Sequence, residues 1–221
     1  MADYGITKTR DQEFTRKTND RLEFNSVVGK QIKESKWFAS YTFNFRTQFS
    51  KGYTFNEEVI PETRFETTRF FSPAYIQTGP GLLWKHSDNL KVNISPTNAR
   101  FIFVASDFTD PTNPLFQIDA DSPTYFGVDE GETSRFEFGA FINAYAKFTP
   151  LKNITLENTL NLYSNYLEDP QNVDIDYTLN VLMKVNEYIT TNVTFQAIYD
   201  DNTVEAFQIR EALGIGVTYG F

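Results

Sequence analysis

Hydrophobic and polar positions alternate along most of this chain with a period of two. Leu22, Phe24, Ser26 and Val28 fall on one side, against Arg21, Glu23, Asn25, Val27 and Gly29 on the other. Trp37, Ala39, Tyr41, Phe43, Phe45 and Thr47 likewise oppose Phe38, Ser40, Thr42, Asn44, Arg46 and Gln48, and equivalent runs cover 134–148, 153–167 and 173–187. Successive side chains of an extended strand point to opposite faces, so each run reads as a strand with one apolar face. The strictest case closes the sequence. Leu213, Ile215, Val217, Tyr219 and Phe221 share one side there, and Gly214, Gly216, Thr218 and Gly220 the other. The pattern predicts about ten strands, near 2–10, 21–33, 36–50, 69–85, 89–105, 134–148, 153–167, 173–187, 191–201 and 208–221. Their connections alternate between short (33–36, 85–89, 150–153, 186–188) and longer (11–20, 51–68, 106–133, 168–172, 201–207).

Alternation alone does not say whether a second sheet or a lipid bilayer covers the apolar face. Composition narrows the choice: 40% of residues are hydrophobic and 16% aromatic, with 22 Phe and 12 Tyr, yet mean hydropathy is only -0.42. No stretch approaches the roughly 18–20 apolar residues that cross a bilayer as a helix, whereas a membrane strand needs only every second residue apolar. The polar side of the strands carries charges where the core of a soluble sandwich would be apolar. The expectation is therefore an all-β, antiparallel, up-and-down transmembrane β-barrel forming one domain over 1–221, with a soluble ligand-binding β-sandwich as the alternative. Short turns and the C-terminus would face the periplasm of a bacterial outer membrane, and long loops the exterior. Aromatics near strand ends would form two girdles: Trp37, Tyr145, Phe148, Tyr188 and Phe221 at the short-turn end, and Phe49, Phe70, Tyr166 and Tyr199 at the long-loop end.

The net charge of -9 and pI near 4.7 argue against a nucleic-acid partner, which calls for clustered Lys and Arg. The absence of Cys removes disulfides, thiolate metal sites and thiol nucleophiles. The opening Met1-Ala2-Asp3-Tyr4-Gly5-Ile6 is polar and strand-like, without the charged-then-apolar form of a secretory signal.

Four runs carry a resemblance: Arg16 to Asn25, Trp37 to Phe55, Phe71-Ser-Pro-Ala-Tyr75 through Gly81, and Leu162 through Ser164-Asn-Tyr-Leu-Glu-Asp-Pro-Gln-Asn172. They resemble a Bacteroidota family catalogued as domain of unknown function 3078 and regarded as an outer-membrane barrel. The likeness covers nearly all of the chain. It implies that Met1 lies inside a longer precursor whose barrel has twelve strands, and it supplies no catalytic residue.

Candidate chemistry is sparse. His86, the single histidine, stands in the short segment Lys85-His-Ser-Asp88, but sequence adjacency does not make a Ser-His-Asp triad, whose members must reach one another across space. The longest loop holds Asp107, Asp110, Asp119, Asp121, Asp129, Glu130 and Glu132, of which Asp119, Asp121 and Asp129 are candidate oxygen ligands for Ca²⁺. Asp119-Ala-Asp121-Ser-Pro lacks the Gly-turn spacing of an EF-hand, so solvated surface charge is the default. Asn93, Asn153 and Asn192 match the glycosylation pattern only within strands. Arg21, Glu23, Arg46, Arg135, Glu137, Glu157, Asp174, Asp176 and Lys184 would face the lumen, with both signs on neighbouring strands. They would either pair and fill it or line a narrow, cation-preferring pore. No enzyme and no cofactor is expected. The expected partners are outer-membrane lipid and other outer-membrane proteins of a larger assembly, for which this chain would be a structural or accessory subunit.

Overall fold

Strand-favouring residues at alternate positions hydrogen-bond their backbones to neighbouring strands and leave opposite faces to different surroundings. The computed structural model describes residues 2–9, 14–56, 63–118, 123–200 and 204–217. It contains twelve strands: β1 (Ala2–Thr7), β2 (Arg16–Gln31), β3 (Trp37–Thr47), β4 (Gly52–Asn56), β5 (Thr63–Thr68), β6 (Ala74–Ser87), β7 (Leu90–Phe103), β8 (Ser134–Leu151), β9 (Ile154–Asn165), β10 (Asp174–Lys184), β11 (Ile189–Asp200) and β12 (Val204–Val217). Ten form one sheet in the order β1-β2-β3-β6-β7-β8-β9-β10-β11-β12, and β4 and β5 pair as a separate hairpin. The ten expected strands are therefore the ten of the large sheet, and the hairpin stands inside the expected loop 51–68. Among the described residues no second large sheet is present to make a sandwich. The order has two ends, β1 and β12, and no pairing among the described residues joins them. The closure expected of a barrel is thus not drawn by these hydrogen bonds.

One expected strand is shortened. Residues 69–73 form a tight turn instead, with Arg69 and Ser72 bridged and Phe71 at φ 60. The Ser72 hydroxyl accepts from the Ala105 N–H at 2.9 Å, the Thr47 hydroxyl accepts from the Phe71 N–H at 3.0 Å, and Gln48 Nε2 donates to the Ser72 carbonyl at 2.9 Å.

The polarity of burial is the reverse of a water-soluble globule. Among the described residues twelve polar or charged residues are buried against seven apolar ones, while thirty large hydrophobic side chains are exposed. On β3, Trp37, Tyr41 and Phe43 are exposed and Ser40 and Thr42 are buried, as the alternation predicts.

The chain divides into two compact units. The first comprises 1–26, 43–78 and 99–137. Its apolar core is small and sits where the strands meet the longest loop: Ile102, Val104, Phe108, Tyr125 and Val128 are buried, with Tyr75, Leu115 and Phe126 against them. The described parts of that loop fold back on this core. A 3-10 turn at Ser106–Phe108 opens it, the Gln117 N–H returns to the Phe108 carbonyl, and the Gly131 N–H returns to that of Thr109.

The second unit comprises 27–42, 79–98 and 138–221. Among its described residues the buried side chains, apart from Tyr163, are polar: Ser40, Thr42, Asn93, Ser95, Asn98 and Gln196. Ser40 Oγ donates to Asn93 Oδ1 at 2.6 Å, Thr42 Oγ1 to the Gly79 carbonyl at 3.0 Å, and Ser95 Oγ to the Pro80 carbonyl at 2.6 Å. On β7 the alternation slips by one residue. Asn93, Ser95 and Asn98 are buried, and Pro96 and Thr97 between them are both exposed. Such a slip admits Pro into an interior strand without breaking the remaining ladder. Gly139 serves close approach: a Cβ there would collide with the Ser164 carbonyl of the adjacent β9.

Candidate functional site

Charged side chains on the polar face of the first unit meet short-range partners. On β2, Arg21 Nη2 stands 2.6 Å from Glu23 Oε2, and Glu23 Oε1 accepts from Asn25 Nδ2 at 2.8 Å. Arg46 lies over the Tyr75 ring at 4.4 Å. Glu137, only 1% exposed, is held between Arg100 Nη1 on β7 at 3.3 Å and Arg135 Nε on its own strand at 3.1 Å. Arg135 Nη1 also donates to the Gly127 carbonyl at 2.9 Å. Five of the nine expected lumen residues therefore lie in this unit, in separate clusters; the ion pairs just named run along a strand or to the next one.

Two further clusters in this unit lie outside the set expected from sequence. Asp20 accepts from Lys17 Nζ at 2.9 Å, from the Phe49 and Ser50 N–H groups, and from the Ser50 hydroxyl. Glu66 on β5 accepts from Lys51 Nζ and Arg69 Nε, both at 2.6 Å. Arg69 reaches Asp107 at 2.8 Å and covers the Phe108 ring at 4.7 Å. Sequence offered one cue to the second cluster, apolar Phe108, Tyr125 and Val128 within an otherwise acidic loop. The Tyr125 hydroxyl donates to the Thr67 carbonyl.

Burial pushes the Tyr125 phenol well above its ordinary range. The fold favours the neutral phenol, so this contribution to stability is fully present below the unfolded value near 10 and is lost as pH rises through the higher folded one. Absorbance titration near 295 nm is expected to show one tyrosine resisting ionisation in the folded protein, a step missing from Tyr125→Phe.

In the second unit, Glu157 pairs with Lys147 Nζ at 2.6 Å, and Asp176 accepts from Gln196 Nε2 at 3.0 Å. Asp174 is half-buried at the loop end of β10. Lys184 is exposed at the other end of that strand. Of the girdle residues, Trp37, Phe148, Tyr166 and Tyr188 are exposed, and the Tyr166 hydroxyl donates to the Pro96 carbonyl at 3.1 Å. Tyr199 is half-buried against the ring of exposed Phe207. Tyr145 departs from the expected belt: by alternation it shares the face of Asn143 and Lys147, half-buried with Lys91 Nζ 5.0 Å from its ring centre. Phe49 and Phe70, in the first unit, are exposed. Phe221 lies outside the described residues.

His86 is exposed, accepts from Lys36 Nζ at 2.7 Å and packs 5.6 Å from Trp84. Its neighbours are otherwise engaged: the Ser87 hydroxyl accepts from the Asn89 N–H at 3.2 Å, and Asp88 pairs with Lys85 at 2.7 Å. The hydrogen bond from Lys85 holds the Asp88 carboxyl below its usual range. Asp129 is exposed, while Asp119 and Asp121 lie outside the described residues. Among the described residues no three His, Asp or Glu side chains converge as a metal site.

The large antiparallel sheet thus presents exposed apolar side chains on one face and buried polar and charged side chains on the other. Residues 1–53 match the model of a family described as "Protein of unknown function (DUF3078)", the family the sequence resembles. No curated protein matches the chain. A solved structure described as "NanC porin structure in rhombohedral crystal form" aligns at 10% identity with a TM-score of 0.36, covering 90% of this chain and 98% of that one.

Proposed function

We propose that this chain is a non-enzymatic outer-membrane β-barrel that serves as a structural or accessory subunit of a larger outer-membrane assembly. The observation that carries this reading is the inverted polarity: buried Ser, Thr, Asn and Glu on one face of the strands, exposed Phe, Leu, Ile and Val on the other. Hydrating that apolar face in water is unfavourable, and hydrocarbon covers it at no such cost. In hydrocarbon the free edges of β1 and β12 must also be paired, since an unpaired backbone group there costs several kcal/mol.

The accessory role is supported by how the polar face is engaged. Glu23, Glu66, Glu137 and Glu157 each have a cationic neighbour within 3.3 Å, an arrangement that fills space and fixes register. Membrane fractionation is expected to place the chain in a salt-resistant, detergent-soluble outer-membrane pool, and crosslinking before extraction should retain other membrane proteins with it. A chain that salt alone releases, or that runs only as a free monomer after crosslinking, overturns the respective part. Planar-bilayer recording of refolded protein is expected to show no conductance steps. Cation-preferring steps would replace this role with that of a narrow channel.

A further inference from the structure

The basic residues of the chain are sorted by type and place. Four hairpin turns lie at one edge of the second unit's sheet: 32–36 between β2 and β3, 88–89 between β6 and β7, 152–153 between β8 and β9, and 185–188 between β10 and β11. Consecutive antiparallel pairing brings them to the same edge. Within five residues of these turns stand eight lysines and no arginine: Lys30, Lys33, Lys36, Lys85, Lys91, Lys147, Lys152 and Lys184. Only Glu34, Asp88, Glu157 and Glu187 oppose them there, so this edge is cationic in a chain whose net charge is -9. Lys30, Lys33, Lys36, Lys152 and Lys184 are exposed. Both tryptophans of the chain, Trp37 and Trp84, stand at the same edge beside Lys36 and Lys85.

We infer that this lysine collar binds the headgroup phosphates of anionic phospholipid in the leaflet that surrounds the short-turn end, an inference that rests on the membrane-barrel reading above. An ammonium on a flexible four-carbon stem can lay its methylenes along an apolar surface and keep its charge at the phosphate level. Indole rings prefer the same depth, so Lys and Trp together define an interfacial zone. Electrostatic attraction between such a collar and anionic lipid is worth on the order of 1 kcal/mol per lysine near the surface, about a fivefold preference for each contact.

The two tryptophans make the test direct, because they report only on lipid at this edge. Protein refolded into vesicles of phosphatidylcholine and phosphatidylglycerol in equal amounts would be compared with one or the other lipid brominated on its acyl chains near the headgroup. Brominated phosphatidylglycerol is expected to quench tryptophan fluorescence as though enriched roughly two- to fivefold around the protein. The enrichment should shrink in 0.5 M salt as screening shortens. It should vanish in the quadruple variant Lys30→Gln, Lys33→Gln, Lys36→Gln, Lys152→Gln, which retains both tryptophans. Equal quenching by the two lipids, or enrichment that persists in the quadruple variant, overturns the inference while leaving the barrel intact. Failure of the wild-type chain to enter vesicles of any composition overturns the barrel reading itself.

Discussion

Replacing Phe43 by arginine is expected to destabilise the folded protein in lipid by about 2–4 kcal/mol. Phe43 sits in the interior strand β3, exposed, with its ring 6.2 Å from that of Phe24 on β2. On the surface of a soluble protein such a residue is a tolerant position, where substitution costs within about 0.5 kcal/mol of zero. In a bilayer the same side chain is covered by acyl chains, and a guanidinium must be dehydrated or drag water and headgroups toward it. The two settings thus differ several-fold in outcome for one residue. Urea unfolding of protein refolded in vesicles measures it, and a Phe43→Leu control separates the charge from the lost ring contact. A cost under about 0.5 kcal/mol for Phe43→Arg would mean that water, not lipid, covers this face.

Truncating Glu137 to alanine is expected to cost about 3–5 kcal/mol. Its carboxylate is almost wholly excluded from solvent and faces two guanidinium groups that are themselves mostly buried, Arg100 and Arg135. Removing the anion leaves both cations desolvated and facing each other, which is far more costly than the pair's net worth when intact. The double variant Glu137→Ala, Arg100→Met should recover part of the loss, since it withdraws one of the stranded charges. Equilibrium unfolding of the four members of that cycle gives the coupling, and strict additivity would show that Arg100 and Glu137 do not act together.

Much of the sheet was legible because period-two alternation needs no knowledge of neighbours. All ten expected strands recur in chain order, with ends displaced by a few residues. The misplacements have local causes. Residues 69–73 carry two phenylalanines, strong strand formers, yet the left-handed Phe71 and the Arg69–Ser72 bridge turn the chain there and delay the extended run to Ala74. The start of β2 at Arg16 escaped notice because both its faces are polar up to Asp20, which leaves no alternation to detect. The β4–β5 hairpin was hidden in the same way by the acids around Tyr53, Phe55 and Phe65.

The charged clusters were legible as members and not as partners. Glu137 and Glu157 could be placed on the polar face from parity alone, but their links to Arg100 and Lys147 depend on register between strands, which no single strand encodes. Tyr145 shows the complementary limit: proximity to a turn suggested a belt residue, while parity places it inward under Lys91.

The one-residue slip at Pro96 and Thr97 governs everything that follows it on β7. Beyond it Phe101 is exposed and stacks with Phe103, while Arg100 reaches Glu137 and Ile102 enters the small core. Were the alternation to run on through Thr97 without the slip, that whole segment would be rotated by half a turn, driving a guanidinium out to the apolar face and benzyl groups into the carboxylate's enclosure. One surplus residue therefore sets which way the end of this ribbon faces.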